Sequence, residues 1–149
     1  MNTDDLTIAA ATPRTVKIGG EEFRLHFLTH ADIASLQAWI NSQFRDPFEI
    51  ASEQIAEHSG RWTVAQQQYL LAQAMKEAVI GPPKIGTPKA SELLVSQEGQ
   101  IEIFYLSVVK GDPSFTRERA RDVVIDFNAA EQSAVFAASG ADMVADDPK

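Results

Sequence analysis

Apolar and polar positions alternate near the start of the chain. Val16 and Ile18 bracket Lys17, and Phe23, Leu25 and Phe27 bracket Arg24 and His26. A period of two puts each apolar set on one face of a strand. Gly19-Gly20 between the two runs supplies the positive φ that a tight hairpin turn needs. Residues 15–28 are therefore expected to form a β-hairpin with one apolar face. A lone two-stranded hairpin is marginal in water, so that face has to rest on the helices behind it or on a partner.

The period then lengthens. Thr29 and Asp32 stand in a capping-box relation ahead of Ile33, Leu36, Ile40 and Phe44, which fall at helical spacing with Trp39 beside them. Asp46-Pro47 reads as an N-cap and first helical residue, with Glu49 in the first turn. Phe48, Ala51 and Ile55 form the stripe of that helix and Gly60 closes it. Thr63 and Gln66 make another capping pair before a helix in which Val64, Leu71, Met75 and Ala78 line one side. The segment "GPPKIGTPK", residues 81–89, is a firm break and reads as a connector between two helical sub-bundles.

A short helix is expected over "ASELLVSQ". "IEIFYLSVVK" suits a strand or a buried helix equally by composition. Helix is preferred, because the nearest strand partner would be the distant hairpin. Thr116 is a good N-cap, and Phe115 before it can staple onto Ala120. Val123, Phe127, Ala130 and Ala134 then recur at helical spacing up to a stop at Gly140, as one closing helix. The pattern predicts a mainly α (α+β) fold, an N-terminal β-hairpin followed by a bundle of about five to six helices. Residues 1–13 read as a flexible lead, 14–140 as a single globular domain and 141–149 as a flexible acidic tail. No internal repeat is visible.

Composition adds few constraints. The 149 residues suit one domain, and 44% apolar with 23% charged residues is ordinary for a globular protein. Cysteine is absent, which excludes disulfides and Cys-based metal or redox sites. A net charge of −8 argues against nucleic-acid binding, which depends on neutralising phosphates. The opening "MNTDDLTIAAATP" has acids where a secretory signal needs a basic start. No stretch approaches the roughly 20 apolar residues of a membrane span. The reading is a soluble intracellular protein.

Candidate chemistry is sparse. His26 and His30 have the spacing of a helical zinc pair, but a strand-to-helix boundary lies between them, so the shared face is lost. His58 near a helix end can interact with the last carbonyls. "GPPKIGTP" lacks the phosphate-loop order, and its prolines remove the N–H donors that cradle phosphate. No G-x-S-x-G elbow and no distinct carboxylate pair appear. No catalytic, cofactor-binding or metal-binding residue is assigned. "TRERARD" places Arg117 and Arg121 on one face, either as a patch for phosphate or an acidic partner or as one half of a mixed-charge surface. Trp39, Trp62, Tyr69 and Tyr105 are core fillers or protein-binding anchors. The candidate partner-binding set is Phe23, Leu25, Phe27, Trp39, Trp62, Tyr69, Tyr105, Arg117 and Arg121.

The order of "VKIGGEEFRLHFLTHAD", an amphipathic helical middle and "YLSVVKGDPSFTRERARDVV" resembles the small tail assembly chaperones of long-tailed bacteriophages, over roughly residues 14–138. The resemblance lies in order and spacing. It implies a non-enzymatic protein of the infected host's cytoplasm, absent from the mature virion. Its expected partners are the tape-measure protein, the tail-tube protein, a longer frameshifted form of itself and further copies of the chain, with no cofactor, nucleic acid or membrane. Two alternatives are a head- or tail-completion subunit retained in the virion, and a small enzyme or host-regulating protein. The hairpin's open strand edge is a further expected point of contact.

Overall fold

A computed structural model describes residues 12–58 and 60–142. The expected lead over residues 1–13 and tail over 141–149 lie largely outside this range. The chain divides into two compact units. The first comprises residues 1–38 and 84–149, and the second comprises residues 39–83. The sequence pattern predicts one domain with a connector at 81–89, and the chain re-enters the first unit inside that connector.

The first unit opens with β1 (Arg14–Ile18) and β2 (Glu21–Leu25), an antiparallel pair in which Val16 faces Phe23 and Lys17 faces Glu22. Gly19 and Gly20 take φ of 57° and 84° at the turn, which fits a Gly-Gly connection. The ladder ends at Leu25, two residues before Phe27, so Phe27 is not part of the strand face. α1 (His30–Gln43) follows and passes into the second unit at residue 39. Its start is held by the expected capping box. The Asp32 carboxylate accepts from the Thr29 amide at 2.7 Å and hydroxyl at 2.9 Å, while the Asp32 amide donates to Thr29 Oγ1 at 3.3 Å.

On re-entry the Ile85 amide donates to Gln37 Oε1 at 2.9 Å, so the exit and return of the chain are tied together. Then come α4 (Pro88–Val95), α5 (Gln97–Val109), α6 (Arg117–Val124) and α7 (Ala129–Ser139). Residues 101–109 are thus helical, as preferred on topological grounds. α5 is the central helix. Ile101, Ile103, Phe104, Leu106, Ser107 and Val108 are all buried, so it is apolar around most of its circumference. Phe104 is the hub: Phe23, Phe115 and Phe127 meet it edge-to-face at centroid distances of 5.2, 5.6 and 5.6 Å. Val16, Ile18 and Leu25 of the hairpin share this core with Ala120, Val124 and Val135.

The closing helix expected over residues 117–139 is two helices. Asn128 caps the second, accepting from the Glu131 amide at 2.7 Å, while Glu131 accepts from the Asn128 amide at 3.0 Å. This capping box starts α7 afresh although the apolar spacing runs on, after α6 has closed in tighter turns where the Asp126 and Phe127 amides donate to the Val123 and Val124 carbonyls at 3.3 and 3.0 Å.

The second unit contains the end of α1, α2 (Pro47–Glu57) and α3 (Val64–Ile80). Asp46 caps α2 with Pro47 behind it, and Thr63 and Gln66 form the expected capping box on α3. α2 ends at Glu57, with His58 as C-cap, ahead of the expected stop at Gly60. Ala51 and Ala74 are buried where α2 and α3 pack. Among the described residues no helix is long and apolar enough to cross a membrane.

Candidate functional site

The sequence-derived partner residues fall in three settings. Phe23 and Leu25 are buried in the first unit's core, so neither presents a surface. They are needed there because a two-stranded hairpin has no other way to shield its apolar face. Phe27 is half-buried with its ring against Gly140. It sits in an extended strap over residues 26–28 that crosses the ends of two helices. The His26 amide donates to the Ser107 carbonyl of α5, and the Leu28 amide to the Ser139 carbonyl of α7, each at 2.9 Å. Ser107 Oγ donates back to the His26 carbonyl at 2.6 Å. The strap thus satisfies carbonyls that helix ends leave open.

Lys110 secures the same junction. Its ammonium donates to the Phe27 carbonyl at 3.3 Å and pairs with the Asp32 carboxylate. The two side chains are 27% and 12% exposed. Burial pushes the Lys110 pKa below its ordinary 10.5, because the charged form loses solvation. The group therefore serves to join α1, α5 and the strap.

The arginine run is spent inside the first unit. Arg117 pairs with Glu102 at 3.1 Å and Arg121 with Glu98 at 3.2 Å. Both pairs are four residues apart on their helices, so they close like rungs between α5 and α6. Arg117 also lies 4.4 Å from the centroid of the Tyr105 ring, which stacks on Phe115 at 6.4 Å. Arg119 reaches Glu21 of the hairpin at 2.6 Å. The open phosphate or acidic-partner patch expected of Arg117 and Arg121 is replaced by these carboxylates. A cleft of about 490 Å³ lies beside the run, lined by Glu22, Arg24, His26, Asp112, Ser114 and Arg119 among others. Its charges are mixed in sign, and no three His, Asp or Glu residues among those described converge as a metal site.

In the second unit Trp39 and Trp62 are half-buried, and the Trp62 ring stacks on His58 at 6.2 Å. Tyr69 alone of the sequence-derived aromatics is mostly exposed. It belongs to an apolar surface that spacing did not isolate. Val64, Tyr69, Met75, Val79 and Ile80 of α3 are 69, 68, 58, 88 and 81% exposed. Leu70, Leu71, Ala74 and Ala78 occupy the inner side of the helix. Val64 and Met75, expected on one side with Leu71 and Ala78, point outward instead. α3 is apolar on both sides, and Lys76 and Glu77 are its only charged residues. That shortage of charge over 17 residues is the signal from which an outer face was readable. The inner side forms a groove of about 190 Å³ with α2, lined by Ile50, Gln54, Leu70, Gln73 and Glu77 among others.

Comparison of the chain with known protein families, curated proteins and solved structures finds no match.

Proposed function

We propose that this chain works by protein–protein contact, as a non-enzymatic phage tail assembly chaperone. It would act in the host cytoplasm, hold the tape-measure protein or tail-tube subunits during assembly, and be left out of the mature virion. The observation that carries the reading is the outer face of α3. Scattered apolar residues are normal on a surface, but these share one helix face and the helix bears a single Lys and a single Glu. Such a face suits an amphipathic helix of a long, aggregation-prone client. The net charge of −8 would keep the complex dispersed by mutual repulsion.

The test is co-expression with the tape-measure and tail-tube proteins of the same phage, followed by affinity capture and mass measurement. Wild-type chain should capture one of them. The double variant Tyr69→Asp, Val79→Asp should lose at least tenfold of that capture while keeping its circular dichroism. Mass spectrometry of purified virions separates this reading from a retained completion subunit, since a chaperone is missing there. Undiminished capture by the double variant, or the chain in stoichiometric amounts in virions, refutes the proposal.

A further inference from the structure

We propose that α3 also pairs with α3 of a second copy, antiparallel, about a two-fold axis through Ala72. Residues three, four and seven positions from a helical residue share its face. Around Ala72 these are Tyr69 and Met75, Gln68 and Lys76, and Ala65 and Val79, and all are exposed. An antiparallel dyad at Ala72 sets each residue against the other member of its own pair.

Every such pairing is complementary. Ala72 meets Ala72, the small contact that lets two helix axes approach closely. Ala65 meets Val79, small against large. Tyr69 meets Met75, an aromatic ring against a thioether. Lys76 meets Gln68, whose side-chain carbonyl can accept from the ammonium. A parallel pair would instead set Ala65 on Ala65 and Val79 on Val79, small against small and large against large. This self-complementarity is what an isologous interface requires.

Charge points the same way. The chain carries −8, so most encounters between copies are repulsive. Glu77 lies toward the α2 groove, which leaves Lys76 as the charge on the outer face of α3. This face is therefore one where a second, negative copy meets no opposing carboxylate. Area sets the strength. A 17-residue helix is about 25 Å long and its contact strip covers roughly 500 Å² per copy, below the ~800 Å² per partner of a stable interface. The dimer is accordingly weak and concentration-dependent.

The inference does not rest on the client proposal, and it is tested without any client. Sedimentation velocity of the full chain, from about 1 µM to about 1 mM, covers the range where an interface of this size associates. The mass should climb from 16.3 kDa toward twice that value. Met75→Glu, which puts a carboxylate on the partner's tyrosine, should weaken association at least tenfold. The chain has no cysteine, so Ala72→Cys introduces a single thiol, and copper–phenanthroline oxidation should link it to its copy. Ala65→Cys mixed with Val79→Cys should cross-link more than either variant alone. A mass of 16.3 kDa throughout, a Met75→Glu variant that still dimerises, or equal self-linking at 65, 72 and 79 as in a parallel pair would each overturn the proposal.

Discussion

Adding one methyl group at Gly99 tests the tightest crossing in the first unit. Gly99 is the third residue of α5, and its amide donates to Ser96 Oγ at 3.2 Å. A Cβ there would lie 2.2 Å from the Leu93 carbonyl oxygen, 2.6 Å from that of Leu94 and 2.7 Å from Leu94 Cα. These are backbone atoms of α4, so no rotamer change relieves the clash. The two helix ends would have to separate by roughly 1 Å, and overpacking of this kind costs about 1–3 kcal/mol. Alanine in place of glycine within a helix returns up to ~1 kcal/mol. With backbone atoms on the other side the clash outweighs the propensity, and Gly99→Ala should be destabilising by up to about 2 kcal/mol net. Urea unfolding followed by far-ultraviolet circular dichroism should show a lower midpoint. Hydrogen exchange should quicken in peptides spanning α4 and α5. Gly60→Ala is the control, since a Cβ there meets nothing within 4 Å. A Gly99→Ala midpoint equal to or above wild type would refute the reasoning about this crossing.

Ser107→Ala leaves the part-buried His26 carbonyl without its 2.6 Å donor, and should cost about 1 kcal/mol by the same urea assay. Arg121→Ala breaks an exposed pair with Glu98 and should change stability by no more than ~0.5 kcal/mol, with even that difference fading at high salt. Lys110 should titrate below 10.5 in an NMR experiment on its Nζ. Between that lowered value and 10.5 the unfolded chain holds more of this proton than the native one, so the Lys110 contribution to stability rises with pH in that window. Lys110→Met should flatten that part of the stability profile, and an unchanged slope would count against the assignment.

Local signals were readable from the sequence because they are settled within four residues. The Thr29–Asp32 and Thr63–Gln66 boxes and the Asp46-Pro47 start depend on neighbours in the chain, and they stand as expected. The same kind of signal at Asn128–Glu131 was masked by apolar spacing that continues from Val123 through Phe127 to Ala134. Which side of α3 turns inward was not readable, since both sides are apolar and only packing on α2 decides between them. The partners of Arg117 and Arg121 were likewise hidden. Glu98 and Glu102 match their spacing, but this matters only once α5 and α6 run side by side. The strap over residues 26–28 shows no pattern in sequence, because its hydrogen bonds go to helix ends 81 or more residues away.

Both tryptophans of the chain, Trp39 and Trp62, lie within residues 39–83. Indole emission is therefore a private optical label of that segment. A melting curve recorded by tryptophan fluorescence would follow α2, α3 and the end of α1, and would sense the hairpin and the Phe104 core only through α1, the helix that runs from one unit into the other. Comparing it with a curve from amide circular dichroism would reveal, without any mutation, whether the two units melt together.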